Sequence, residues 1–467
     1  MVFSSLLFLF LFLPANLILY YSVKGRKTRN IILVAFSIIF YAWGEPIWIS
    51  LLIISAFIDY LNGLFIDKYQ GKPIAKLGLY STLVFNLGFL FTFKYADFIV
   101  ENVNLLTNLN FSKPGFLLPI GISFYTFQTI SYTFDVYKGE VKAQRSFLSF
   151  LMFVSLYHQL VAGPIVRYSH IAREIDEREF SWDDFSNGIS RFCIGLFKKV
   201  VIANTAGALC AQFMEVDLSN LSVMGGWYGL VMYSIQIYFD FSGYSDMAIG
   251  LGWMFGFHYH ENFKYPYMST SISDFWRRWH ISLGTFFKDY VYIPLGGNKA
   301  NQVRNILVVW ALTGLWHGAS WNFVLWGSYF GLILLIEKFM IGKVLEALPA
   351  LLRHVYSLFF ILVGWGIFYF TDMTQMMKFF SIIFNQTENS LVDFEVISAF
   401  KENSYWMLLA LILCTPVYHS VQSALGKVFS NRLIRDVFNY TYPIVLFLVS
   451  VMMLVSSTYN PFIYFRF

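Results

Sequence analysis

Apolar runs long enough, or nearly long enough, to cross a bilayer recur along almost the whole chain, and basic residues fall in the short segments between them. A span needs about 20 apolar residues. Candidate runs cover residues 2–23, 31–44, 47–66, 75–93, 116–134 and 147–163. An amphipathic run at 187–213 precedes 224–240 with its continuation 247–257, then 306–316, 321–339, 355–370, 405–417 and 442–457. Hydrophobic residues make up 57% of the 467 and charged residues only 13%, about half the charged share of soluble domains. The mean hydropathy is +0.57. A soluble fold of this size would lack polar surface, so the bilayer must serve as solvent. The strand alternation of an outer-membrane barrel is absent. The expected fold is all-α: a polytopic transmembrane helical protein with about 11 spans plus re-entrant or interfacial helices.

The net charge of +5 does not point to nucleic acid, because the basic residues sit in loops between apolar runs. That is the pattern of membrane topology. Residues 24–29, 67–76, 135–145, 273–304, 338–353 and 427–435 carry the Lys and Arg and are expected inside; the acidic stretch 371–402 is expected outside. Charge follows the first apolar run instead of preceding it, so that run reads as a retained span with its N-terminus outside. The three cysteines, Cys193, Cys210 and Cys414, show no CxxC spacing and read as buried structural residues.

The orientation rule yields one sharp constraint. Arg304 and Lys338 both fall inside, yet two apolar pieces, 306–316 and 321–339, lie between them. The first piece would make roughly 16 Å of helix, half a bilayer. The pair reads as a hairpin that enters and leaves by the same face, with His317, Gly318, Ala319 and Ser320 at its tip. Broken backbone at that depth is tolerated only where it is buried in protein or lines a cavity. A neutral imidazole there can take a proton from an attacking hydroxyl, and Ser320 and Asn322 can orient the ring or donate to an oxyanion. A core histidine bonded at a helix break is the competing reading.

Other stretches carry polar groups that an apolar chain must account for. Asp274, Arg277, Arg278, Trp279 and His280 lie close together on the inner side, where arginines and aromatics can hold a phosphate-bearing donor or simply mark topology. Asp240 and Asp246 flank Gly243, which is expected to break the helix; a salt-bridge role is favoured over a proton path or cation site, and no His or Cys nearby has metal-ligand spacing. Ser123, Thr126, Gln128 and Ser131 form a polar stripe that bonds across helices or lines a channel. The chain ends on an aromatic tail whose phenol, Tyr464, is either an acceptor or an interfacial anchor.

Four stretches, DFSGYSDMAI (240–249), DFWRRWHIS (274–282), DYVYIPLGGN (289–298) and GLWHGASW (314–321), together resemble the membrane-bound O-acyltransferase family, and within it the bacterial polysaccharide O-acetyltransferase branch of the alginate type. The resemblance covers nearly the whole chain, with no departure in these stretches. It implies one membrane-embedded domain over 1–467 around a central funnel: N-terminal helices 1–134, a catalytic core 135–340, C-terminal helices 341–459 and the tail 460–467. It implies that His317 matches the catalytic histidine and His280 the second histidine, that Trp316 belongs to the site, and that the tail PFIYFRF (461–467) is similar to a motif whose tyrosine, here Tyr464, receives the acyl group. It also implies acetyl-CoA or another acyl thioester as a cytosolic donor substrate with no bound cofactor, a polysaccharide acceptor, and an extracytoplasmic SGNH-type acetyltransferase partner. D-alanyl or other acyl transfer to an envelope polymer or lipid stays open, as does a non-catalytic transporter with Asp240 and Asp246 as coupling residues.

Overall fold

The computed structural model describes residues 1–161, 163–417, 432–457, 459–460 and 462–463, and every regular element among them is helical. Among the described residues, six helices are long and apolar enough to cross a membrane: Ile49–Lys68, Ala75–Thr107, Trp182–Met214, Trp321–Ala347, Ala350–Tyr369 and Val437–Ser456. Phe394–Glu402 and Ser404–Leu413, bent by 64°, would add a seventh if they form one span. Unbroken spans are thus fewer than the apolar runs suggest. The run 147–163, for example, divides into Phe147–Ser155 and Tyr157–Leu160. At the division the Tyr157 amide donates to the Ser37 hydroxyl at 3.2 Å, so a side chain takes over from the helical ladder.

The chain divides into two compact units, Met1–Phe192 with Ser245–His260, and Cys193–Tyr244 with Glu261–Phe467. In the first, the helices Ile49–Lys68, Ala75–Leu90 and Ile122–Lys138 bury a polar knot. Asp59 accepts from the Asn86 amide at 2.7 Å, and Ser55 and Thr129 donate to the Asn86 oxygen at 2.8 and 3.3 Å. Such cross-helix bonds replace the water that a bilayer cannot supply. Gln128 belongs to this unit. It is fully buried, and neither atom of its amide has a hydrogen-bond partner among the described residues.

Gly243 does not break its helix, which runs unbroken over Val223–Met254. A Cβ at Gly243 would stand 2.8 Å from the Gly195 carbonyl oxygen. The glycine therefore serves close helix approach, the usual role of small residues in membrane interfaces. The two acids beside it form separate ion pairs: Asp240 with Lys199 in the second unit and Asp246 with Arg191 in the first, each at 2.5 Å.

The second unit holds an aromatic core in which Trp276, Trp279, Trp310, Trp326, Phe330 and Trp365 touch one another. Much of the 20% aromatic content is spent here as packing surface.

Candidate active site

The hairpin forms, with limbs longer on one side than the apolar count suggests. The first limb is Gln302–His317, 16 residues, and the second Trp321–Ile336 continues through a π turn at Glu337–Ile341. Its start is fixed by Asn305, whose amide donates to the carbonyls of Leu295, Gly297 and Ala300 at 3.3, 3.0 and 2.7 Å. That one buried side chain ties the glycine-rich loop to the limb. The limbs meet along a glycine seam. Added Cβ atoms would lie 2.3 Å from the Phe323 oxygen at Gly314 and 2.4 Å from the Trp310 oxygen at Gly327.

The helix stops at His317 because Gly318 is fully extended, φ −171°. A Cβ on Gly318 would strike the Phe323 ring at 2.2 Å. The half-buried His317 ring stands in an aromatic box. Trp316, Trp326 and Phe368 lie 4.9, 4.9 and 5.1 Å from it, at interplanar angles of 74°, 80° and 84°. Asn322 is buried beside this break. Its amide nitrogen donates to the carbonyls of Ile367 and Phe368 at 3.4 and 3.3 Å, so its oxygen is the atom left to orient a neighbour. Ser320 is the N-cap of the second limb and makes no side-chain cap bond.

His280 shares Trp316 with His317. Its ring lies 5.7 Å from that indole at 82°. It occupies a left-handed turn, φ +47°, between Ile272–Arg278 and Ile281–Phe287. Asn262 holds the turn: its carbonyl accepts from Ile281 at 2.9 Å, and its side-chain oxygen accepts the Ser282 amide and hydroxyl at 3.1 and 2.9 Å. Burial pushes the His280 imidazole down to about 4. It is therefore neutral at physiological pH, and its Nδ1 has no partner among the described residues.

The two arginines part company. Arg278 is committed to Asp274, with Nε 3.1 Å from both carboxylate oxygens. Arg277 instead lines a cavity of about 770 Å³ together with Asp274, Tyr292, Trp310, Lys338 and Arg353. Arg277, Lys338 and Arg353 form no ion pair among the described residues, and the buried Arg353 Nε has no hydrogen-bond partner there. Glu337 also lines this cavity, but its carboxylate is spent on the Ile272 and Ser273 amides and the Ser273 hydroxyl at 2.6, 2.8 and 2.7 Å. Three cations and three acids, Asp274, Glu337 and Glu346, thus line the cavity; with Asp274 paired to Arg278 and Glu337 bound to backbone amides, Arg277, Lys338 and Arg353 are the groups suited to phosphate. Trp279 is buried against Phe275 and Trp365, 5.5 and 4.8 Å away, and acts as core.

Sequence reasoning missed Glu337, Asn305 and Trp326. A lone acid at the end of an apolar run was the available signal for Glu337. Tyr464 lies outside the described residues.

The family model for MBOAT, the membrane-bound O-acyltransferase family, matches residues 38–380. The chain is 36% identical to the probable alginate O-acetylase of Pseudomonas putida over all of both chains. It is 34% identical to the peptidoglycan O-acetyltransferase of Helicobacter pylori, over 81% of this chain and 79% of that one. A teichoic acid D-alanyltransferase of Bacillus subtilis is 26% identical over 47% of this chain and 59% of that one. With its membrane-length helices and its paired histidines around one tryptophan, this chain belongs to the membrane-bound O-acyltransferase family.

Proposed function

We propose that the protein transfers acetyl from cytosolic acetyl-CoA, through the membrane, for O-acetylation of an extracytoplasmic polysaccharide. The observation that carries this reading is His317, a half-buried imidazole at a helix break whose ring is set by three nearly perpendicular aromatics. The names of the O-acetylating relatives, which cover most or all of both chains, support acetyl over D-alanyl as the acyl group. Arg277, Lys338 and Arg353 at the cavity support a phosphate-bearing thioester, and the positive-inside charges favour the cytosolic side for it.

In this reading His317 takes the proton of an attacking hydroxyl as that oxygen bonds the thioester carbonyl carbon. The C–S bond then breaks, and the imidazolium returns its proton to the departing thiolate. Tyr464 is the proposed acceptor hydroxyl. His280, neutral and buried, positions the donor across Trp316. An extracytoplasmic SGNH-type acetyltransferase then passes acetyl to the glycan. The protein sits in the bacterial inner membrane with its N-terminus outside.

The test is a His317→Ala variant, shown to insert in the membrane, in cells without a paralogue. Removing a general base costs about 10²–10⁴ in rate, so glycan O-acetylation should disappear. Full O-acetylation in that strain would overturn the reading, and an adduct on Tyr464 of D-alanyl mass would replace acetyl by D-alanyl.

A further inference from the structure

Lys199 and Asp240 form an ion pair at 2.5 Å in the apolar interior of the second unit, each almost fully shielded from solvent. Isolated buried pairs barely repay their desolvation unless further hydrogen bonds satisfy the remaining lone pairs. Here the further bond comes from the end of the chain. The free carboxylate oxygen of Asp240, Oδ2, accepts the backbone N–H of Ile463 at 2.9 Å.

The neighbouring contacts follow the same line. The Phe462 ring packs against Tyr244 with centroids 5.0 Å apart and planes tilted by 32°, and the Lys199 ammonium lies 5.8 Å from the Phe462 centroid. Asn204 donates to the Asn460 side-chain oxygen at 3.2 Å. The Tyr459 hydroxyl occupies space that a Cβ on Gly207 would need, 2.9 Å away. Phe462 and Ile463 are both buried. Lys199 itself belongs to a π turn, Lys198–Ala203, within the helix Trp182–Met214, and such turns gather at functional sites.

We propose that Lys199 and Asp240 are positioning residues: a clasp that holds Ile463, with Tyr459, Asn460 and Phe462 beside it, against the buried interior of the second unit and so positions the residue that follows, Tyr464. The carboxylate binds the tail backbone, and the Lys199 side chain holds that carboxylate in place. Only the last step rests on the acceptor role given to Tyr464 above.

The test reads amide hydrogen exchange at Ile463 in the full-length protein in detergent or nanodiscs. Two double variants avoid a lone buried charge: K199M/D240N keeps an acceptor oxygen, and K199M/D240L removes it. Protection at Ile463 is expected in the parent and in K199M/D240N. In K199M/D240L it should fall roughly ten- to hundredfold, as for loss of a hydrogen bond to a charged or strongly polar group. Exchange in the parent at the free-chain rate, or equal protection in both doubles, would overturn the clasp. A separate arm measures acyl adduct on Tyr464 in Ile463→Pro, which removes the donated N–H, and in Ile463→Val, which keeps it. Loss in the first and retention in the second is expected. Equal adduct in the two would overturn presentation by the clasp. Lost protection in K199M/D240L with no adduct on Tyr464 even in the parent would keep the clasp and end the acceptor reading instead.

Discussion

The imidazole of His317 meets the indole of Trp326 edge to face, with ring centroids 4.9 Å apart and planes at 80°. Trp326 is fully buried and is itself wedged by Trp276 at 5.5 Å and Phe330 at 5.3 Å. The candidate base is therefore oriented from behind by a rigid wall. Trp326→Phe keeps an aromatic but withdraws the edge that sets the ring. Turnover should fall roughly ten- to hundredfold, in line with small misplacements of reacting groups, while KM for the donor stays near the parent value. A variant with unchanged kcat would show that the box does not orient His317.

His280 makes a pH prediction whose sign is fixed by burial. Its imidazole is pushed down to about 4 from an ordinary 6.5. An unfolded chain takes up the proton below about 6.5, whereas the folded chain resists until about 4. The stabilisation from the neutral form is thus complete above about 6.5 and is lost as pH falls from there through 4. The loss is at most about 3 kcal/mol. His280→Gln should flatten this part of the profile of thermal inactivation midpoint against pH. A parent midpoint that stays constant from pH 7 to 4 would contradict the buried, neutral assignment.

The hairpin and its histidine were legible because the basic residues at both ends force the chain back to one side and GAS interrupts the apolar run. The aromatic box was not, since Trp326 and Phe368 reach His317 only through tertiary packing. Gly243 was misread for a physical reason. Glycine weakens a helix in water, but between helices in a membrane its missing side chain admits a neighbouring backbone. Asp240 and Asp246 looked like a pair because they are close in sequence. Their partners Lys199 and Arg191 sit on a different helix, so the two acids form separate bridges. Lys338 and Arg353 were read as topology alone, and only the fold places them at one cavity with Arg277.

The glycine seam of the hairpin predicts a large effect from one methyl group. At Gly314 the added Cβ meets a backbone oxygen, which cannot swing aside as a side chain does. Gly314→Ala should cost about 1–3 kcal/mol by overpacking, lowering the unfolding midpoint in detergent and reducing transfer by shifting His317. Gly284→Ala is the control: the nearest atom to its Cβ is 3.9 Å away, and it should be tolerated. Equal midpoints for the two variants would refute the seam.

The cavity makes a prediction about the donor that separates phosphate recognition from general damage. Arg277, Lys338 and Arg353 line one cavity in which Asp274 and Glu337 are already engaged by Arg278 and by backbone amides. Lys338→Gln and Arg353→Gln should each raise KM for acetyl-CoA roughly tenfold or more, the worth of a charge-assisted hydrogen bond, and leave kcat near the parent value. Added salt should raise the parent KM in the same direction. S-acetylpantetheine carries the same reacting thioester without the phosphates. It should start from a high KM in the parent and lose little more in either variant. If both donors lose equally, the cations support the fold of the inner face and the phosphates are bound elsewhere.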